Sequence, residues 1–123
     1  MNTNAKKILV LGTEYAARFV EAGQDEYMDK MQYGGYCSAD SHEIYILLLK
    51  THEEWENEPE EKIEHRQRTT LRHEIVHAFL NESGLQWNSF TPDSAWARNE
   101  EMVDWVAIQF PKLLKAFEQA DAL

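Results

Sequence analysis

Short apolar runs in the first part of the chain predict a β-hairpin. The run KILVLG at 7–12 ends in a glycine, and EYAARFV at 14–20 follows almost at once. Two apolar runs around a glycine-containing turn are typical of an antiparallel hairpin, although 16–18 (Ala-Ala-Arg) is equally compatible with a helix. We expect 1–5 to form a loose tail, and 21–33 to be irregular or to contain a short helical turn.

A second hairpin is predicted further along the chain. GGYCSA at 34–39 is followed by an Asp-Ser turn and then by HEIYILLL at 42–49. β-branched and aromatic residues on both sides of a turn favour a hairpin, and the unbroken apolar run indicates that its last strand is buried.

The segment from 59 to about 83 has the features of one long helix. A proline suits its first turn, and the acidic cluster EEWENEPEE at 53–61 complements the positive end of the helix dipole. Glu64 and Arg68 stand four residues apart, as in a helical ion pair. Gly84 is a natural C-terminal stop.

The last third of the chain predicts two more helices after a loop. The loop spans 85–97, a helix begins near Ala97, and Pro111 is expected to separate it from a final amphipathic helix, KLLKAFEQA. Hairpins followed by helices predict an α+β fold, with a small antiparallel or mixed sheet packed on the long helix. A length of 123 residues predicts a single domain over 1–123.

Composition narrows the classes of partner. The formal net charge is −10, which disfavours nucleic acid because a phosphate backbone would be repelled. Cys37 is the only cysteine, so an intramolecular disulfide and a Cys-rich zinc module are excluded. The apolar run ILVLG is too short for a signal sequence or a membrane span. We therefore expect a cytoplasmic protein that makes no membrane contact.

The stretch HEIVH at 73–77 carries the first candidate chemistry. On a helix, His73 and His77 project from one stripe and are displaced by about 6 Å along the axis, a separation that two ligands of one tetrahedral metal can span. Glu74 lies about 100° round from His73, too far for a third ligand from the same turn but within reach of a water at the metal. The other positions are apolar, so we expect a buried helix. The alternative is a metal-free pair of hydrogen-bonded histidines.

A third ligand is available downstream, in NEEMVD at 99–104. Glu100 and Asp104 are one turn apart on a predicted helix. Glu100 would complete a His-His-Glu set with one open position, as catalytic zinc sites require. Asp104 would accept the second ring N–H of a ligand histidine and fix its tautomer. Glu101 is the alternative third ligand, and a solvated acidic helix start is the simpler explanation of the segment.

HEIVH followed by NEEMVD resembles the gluzincin metallopeptidases, whose thermolysin-like members pair HExxH with a downstream NExxxD helix. The short chain and the pattern ExxVDWVA at 100–107 are similar to the small ImmA/IrrE-type and minigluzincin metallopeptidases, many of which are encoded by phages and prophages. The resemblance covers about 34–110 and implies a zincin-like fold.

The resemblance also implies a substrate-binding strand. In zincins the outer strand of the hairpin before the active-site helix borders the cleft and pairs with an extended peptide. GGYCSA resembles that strand, so Gly35, Tyr36 and Cys37 would contact substrate, with the glycines allowing close approach. Two glycines in an ordinary turn are the alternative.

Together these features predict a zinc-dependent metallopeptidase that hydrolyses a peptide or protein substrate. Zinc would be held by His73, His77 and Glu100, with Glu74 as general base. The second oxyanion donor is open among Tyr33, Tyr36, Tyr45 and His42. Two alternatives stay open: a latent zinc-binding protein that acts through protein–protein interaction, and a hydrolase of non-peptide amides.

Overall fold

The first half of the chain forms one mixed four-stranded sheet in a computed structural model, which describes residues 1–87, 96–121 and 123. The strands lie in the order β1-β2-β4-β3, where β1 is Lys6–Val10, β2 is Thr13–Val20, β3 is Gly35–Ser38 and β4 is Glu43–Leu47. The pairs β1–β2 and β3–β4 are antiparallel, which confirms both predicted hairpins. β2 and β4 are parallel, and this pairing joins the hairpins into one sheet.

The turn between β1 and β2 fixes the register of the first hairpin. Val10 pairs with Thr13, so only Leu11 and Gly12 make the connection. Both have positive φ angles, 48° and 90° respectively. Two consecutive residues with positive φ are the feature of the turn whose twist matches that of a hairpin, and Gly12 adopts it without strain. The segment 16–18 is consequently strand and not helix.

One face of the sheet forms the main core with helix α2, Glu60–Glu82. Alternate strand positions point toward the helix, since side chains alternate across a strand. The fully buried members of this cluster are Val10, Tyr15, Ala17, Ile44, Ile46 and Ala78. The predicted burial of the last strand is confirmed at Ile44, Ile46 and Leu47.

Helix α2 follows the predicted bounds but is less buried than expected. It begins after Pro59 and ends before Gly84, which has the left-handed φ of 75° that favours glycine. The apolar wheel predicted burial on all sides, yet Phe79 is 39% exposed. The sheet and a second long helix cover only part of its circumference. No helix in the described ranges is long and apolar enough to cross a membrane.

One of the two remaining helices was predicted correctly, and the other, α3 (Glu100–Gln119), differs from its prediction at its start and at Pro111. It starts at Glu100, whereas the predicted start, Ala97, lies in a separate 3₁₀ turn, Trp96–Arg98. Helix α1, Glu26–Met31, is the short helical turn expected within 21–33, and the side chain of Asp25 caps it. Helix α3 runs over Glu100–Gln119 without a break, so the predicted end at Pro111 is wrong. The carbonyl that loses its partner there belongs to Ala107, and the side chain of Arg72 donates to it instead. Residues 88–95 of the predicted loop lie outside the described part.

The N-terminus is less loose than the sequence predicts. The amino group of Met1 pairs with the carboxylate of Glu64 on α2, and its sulfur accepts from Gln67. Gln67 is itself buried and accepts from the backbone N–H of Leu49 at 2.9 Å. The start of the chain is thus attached to α2.

Candidate metal centre

The two histidines of HEIVH form a close, half-buried pair on one stripe of α2. Their Nε2 atoms are 3.0 Å apart, and the ring centroids of His73 and His77 are separated by 4.7 Å. The four-residue spacing brings the rings together, because residues one turn apart are neighbours on a helix. This shared stripe was predicted from the helical geometry alone.

Glu100, at the start of α3, meets both histidines. Its Oε2 lies 2.9 Å from Nε2 of His73, and its Oε1 lies 3.2 Å from Nε2 of His77. Glu101 points elsewhere, beside Met102. The side chain of Asn99 caps α3 by accepting from the backbone N–H of Met102, which fixes where the helix starts. Of the two candidate glutamates, the structure brings Glu100 to the histidines.

Asp104 lies on the opposite edge of the His73 ring. Its Oδ1 is 2.7 Å from Nδ1 of His73. A carboxylate in this position keeps the ring proton on Nδ1, and the lone pair of Nε2 is then directed to the point where Glu100 and His77 converge.

The convergent atoms fit a zinc ion. Ligands bound tetrahedrally at about 2.0–2.1 Å from zinc stand about 3.3 Å apart. The Nε2 atoms of His73 and His77 are 3.0 Å apart, and the two oxygens of Glu100 lie 2.9 Å from the first and 3.2 Å from the second. Two imidazole nitrogens and one carboxylate are also a donor set of catalytic zinc sites. Lone pairs directed at one point repel unless a cation or a proton lies between them, so the donors and their spacing suit a bound cation.

Glu74 borders the same point from the buried side. One donor atom each from His73, Glu74 and His77 can be chosen such that all three lie within 4.8 Å of one another. The residue is only 6% exposed, and this burial, together with the nearby carboxylates of Glu100 and Asp104, raises the pKa of its carboxyl group to about 7. A carboxylate with a pKa near neutrality is suited to accept and to return a proton.

Burial acts on His77 in the opposite direction. It lowers the pKa of the imidazole, while the nearby carboxylate of Glu100 raises it. The ring is therefore held in its neutral form at pH 7, which is the form that binds metals.

These side chains open into a cleft of about 530 Å³ between α2, the start of α3 and strand β3. A larger groove of about 810 Å³ lies along the N-terminal half of α2 and the C-terminal half of α3, and it contains neither histidine. We place the candidate chemistry in the smaller cleft because the perturbed carboxyl group of Glu74 and the convergent donors are there.

Strand β3 forms one edge of the sheet and lines the cleft. Its first residue, Gly35, faces α2. A Cβ atom there would lie 2.9 Å from Cγ2 of Thr70 and 3.0 Å from the backbone oxygen of Tyr45. The packing of α2 on the sheet therefore requires glycine at 35. This requirement is independent of any approach by a substrate.

The next two residues of β3 point to opposite faces. The hydroxyl of Tyr36 donates to Asp25 at 2.7 Å, and its ring stacks on Tyr45. Cys37 faces the core, where its sulfur accepts from the side chain of Asn81. Burial raises the pKa of the Cys37 thiol to about 12, so it is protonated at neutral pH. Both residues line the cleft.

The four candidates for an oxyanion donor differ in their position relative to the cleft. Tyr33 and Tyr36 line the cleft. The hydroxyl of Tyr45 donates to Glu43. His42 packs against Tyr15 at the C-terminal end of α2, outside the cleft lining.

Three further residues line the cleft and were not selected from the sequence, namely Asn81, Gln86 and Arg98. Asn81 continues the four-residue spacing of His73 and His77, and that periodicity could have identified it. Arg98 lies in a short 3₁₀ turn, Trp96–Arg98, where no periodic signal marks it.

Comparisons with known proteins identify no family for this chain. A scan against protein-family models, a search of curated proteins and a search of solved structures find no match to the chain. The resemblance to the gluzincins rests on the residues of the chain itself, chiefly the motifs HEIVH and NEEMVD.

Proposed function

We propose that the chain is a zinc-dependent metallopeptidase. The observation that carries this proposal is the convergence of His73, His77 and Glu100, whose donor atoms are 2.9–3.2 Å apart. Glu100 is preferred over Glu74 as the third ligand because both of its oxygens contact a histidine. The set leaves one position of a tetrahedral ion open, as in catalytic zinc sites.

Glu74 is the proposed general base. Zinc bound at the site would supply Lewis acidity, which polarises a carbonyl group and acidifies a water molecule. Glu74 accepts the proton of the attacking water and then donates it to the leaving amide nitrogen. Its burial supports this role, since a pKa of about 7 allows both transfers near neutral pH. Asp104 keeps His73 in the tautomer that presents Nε2.

An extended peptide is the proposed substrate. β3 lies at the edge of the sheet and lines the cleft, so the side of its backbone away from β4 faces outward. An edge strand can accept a peptide as an added strand, and this places the peptide backbone beside Glu74. The α+β fold would then be zincin-like. A cytoplasmic location is part of the same proposal, supported by the lone free Cys37.

The test compares the wild type with Glu74→Gln, using Glu101→Gln as the control. Zinc-loaded protein is incubated with a peptide library and with small amide substrates, and products are identified by mass spectrometry. We expect the wild type and Glu101→Gln to cleave peptides, and Glu74→Gln to keep its zinc and lose cleavage. Zinc binding without any cleavage would indicate a latent binding protein. Cleavage of small amides alone would indicate a non-peptide hydrolase.

A further inference from the structure

Arg72 stands directly before His73 on α2, and its guanidinium group reaches across to α3. Nε donates to the carbonyl of Ala107 at 2.7 Å, and a terminal nitrogen donates to the hydroxyl of Thr69 at 3.2 Å. Thr69 belongs to α2, so the bond to it holds the side chain in one orientation. Hydrogen bonds from a charged donor are stronger than neutral ones. Arg72 thus attaches α2 to a single backbone atom of α3.

The carbonyl of Ala107 is available because of Pro111. In an α-helix the carbonyl of residue 107 accepts from the N–H of residue 111, and proline has no N–H. Ala107 is fully buried, at 0% exposure. An unpaired carbonyl at this place would be destabilising, and Arg72 supplies the missing donor. The proline therefore leaves the carbonyl oxygen of Ala107 as a hydrogen-bond acceptor for a side chain of the neighbouring helix.

Ala107 lies on the same stripe of α3 as Glu100, the residue that contacts the two histidines. Glu100 and Ala107 are two helical turns apart and differ by only about 20° around the axis. One end of this stripe contacts the histidines and the other end contacts Arg72. A slide of one residue would move α3 by about 1.5 Å and turn it by about 100°. Metal sites tolerate deviations of only about 0.2 Å, so such a slide would remove Glu100 from the centre.

We propose that Arg72 is a positioning residue, which sets Glu100 against His73 and His77 by binding the carbonyl that Pro111 leaves free. The inference rests on the proposed metal centre and extends it to a residue that touches neither the metal nor a substrate. It also assigns a use to the proline within α3.

The experiment measures zinc affinity by competition with a chromophoric chelator, and urea unfolding of the metal-free protein. The variants are Arg72→Met, Pro111→Ala and their combination. Arg68→Met is the matched control, because Arg68 lies one turn earlier on α2 and its exposed side chain pairs with Glu64. We expect Arg72→Met to weaken zinc binding about tenfold and to lower the urea midpoint. Arg68→Met should leave zinc affinity unchanged.

The combination with Pro111→Ala separates positioning from simple carbonyl pairing. Alanine at 111 restores the N–H, so the carbonyl of Ala107 regains its helical partner. A carbonyl oxygen has two lone pairs, so Arg72 can keep its bond to Ala107 in that background. Arg72→Met should then cause a smaller loss of stability and still weaken zinc binding. If both losses disappear together, Arg72 only satisfies a buried carbonyl, and the proposal is overturned.

Two further outcomes are distinguishable. If the wild type binds zinc and Arg72→Met binds it with the same affinity, the positioning role alone is refuted. If the wild type binds no zinc, the metal centre is refuted and the inference with it. If Arg72→Met does not fold, Arg72→Lys replaces it, since lysine keeps a cationic donor and loses the planar guanidinium with its two separate bonds. We expect a several-fold loss of affinity in Arg72→Lys, and wild-type affinity there would also overturn the proposal.

Discussion

Helices α2 and α3 contribute to the same candidate centre from very different surroundings. The side chains of His73 and His77 on α2 are 16% and 18% exposed, whereas those of Glu100 and Asp104 on α3 are 67% and 55% exposed. α2 packs on the sheet with one side and on α3 with another. α3 packs mainly on α2. The histidine half of the centre is therefore held in place by the core, and the carboxylate half depends on contacts with α2.

This difference predicts where substitutions act most strongly. Groups that are fixed before a ligand binds lose little entropy on binding, so they contribute more to affinity than exposed groups that must be ordered. Loss of a histidine ligand on α2 should therefore weaken zinc binding more than loss of Glu100 on α3, although either loss should leave little zinc in protein purified without added metal. A change of Asp104, which only supports His73, should have the smallest effect.

The largest effect is expected for His77→Ala. Loss of one of three ligands from the rigid side should weaken zinc binding by about 1,000-fold, because each ligand carries a large share of the binding free energy. His65→Ala, at an exposed position of the same helix, is the control and should bind zinc as the wild type does. Chelator competition measures both. Equal affinities for the two variants would contradict a role of HEIVH in metal binding.

Glu74→Gln should stabilise the metal-free protein in a pH-dependent way. Burial raises the pKa of Glu74 from its ordinary value of 4.5 to about 7, so the folded state binds the proton more tightly than the unfolded state. Stability from this group is present below about pH 4.5 and is lost as the pH rises through 7. The variant should match the wild type at low pH.

Above pH 7, Glu74→Gln should be more stable by up to about 3 kcal/mol. Urea unfolding in the presence of a chelator at pH 5 and pH 8.5 measures the difference. Glu101→Gln, a change at an exposed carboxylate, is the control. A pH-independent difference between Glu74→Gln and the wild type would contradict the burial of an ionisable carboxyl group at 74.

Gly35→Ala tests the support of α2 by the sheet. The added Cβ would meet Thr70 at 2.9 Å and the backbone of Tyr45 at 3.0 Å, and this overpacking should destabilise the protein by about 1–3 kcal/mol. Gly34→Ala is the matched control, since its nearest contact is 4.0 Å away, and it should change stability only slightly. If thermal unfolding shows equal effects for the two glycines, the close packing of α2 on β3 is wrong.

The smallest effect is expected on the α3 side, for Asp104→Asn. The amide keeps the shape of the side chain but loses the charge that stabilises the proton on Nδ1 of His73. Zinc affinity should fall about tenfold, at the lower end of the losses seen when a metal-binding histidine loses the group that hydrogen-bonds its other ring nitrogen. Glu101→Gln should leave it unchanged. A loss as large as that of His77→Ala would contradict the proposed ranking of the two helices.

The sequence predicted the local parts of the fold. Both hairpins were readable from paired apolar runs and glycine turns, and the bounds of α2 from the proline before it and Gly84 after it. The parallel pairing of β2 with β4 was not readable, because turn signals determine pairing within a hairpin but not between hairpins. The continuation of α3 through Pro111 depends on a donor from Arg72, which is remote in sequence. Local rules for proline carry no information about such a donor.

The same division applies to the candidate site. Helical periodicity was enough to place His73 and His77 on one stripe. The choice between Glu100 and Glu101 required the rotation of α3 against α2, which is a tertiary feature. The burial of Glu74 and the contact of Gly35 with Thr70 likewise depend on how α2 lies on the sheet. The motif HEIVH carries no information about either of these two features.

The most direct test of the central claim is the metal content of protein purified without added metal. Wild type, Glu100→Ala and Glu101→Ala are compared by elemental analysis. The proposed centre predicts about one zinc per chain in the wild type and in Glu101→Ala, and little or none in Glu100→Ala. Wild-type protein without zinc, even after reconstitution, would contradict the metal centre and leave His73 and His77 as a hydrogen-bonded pair.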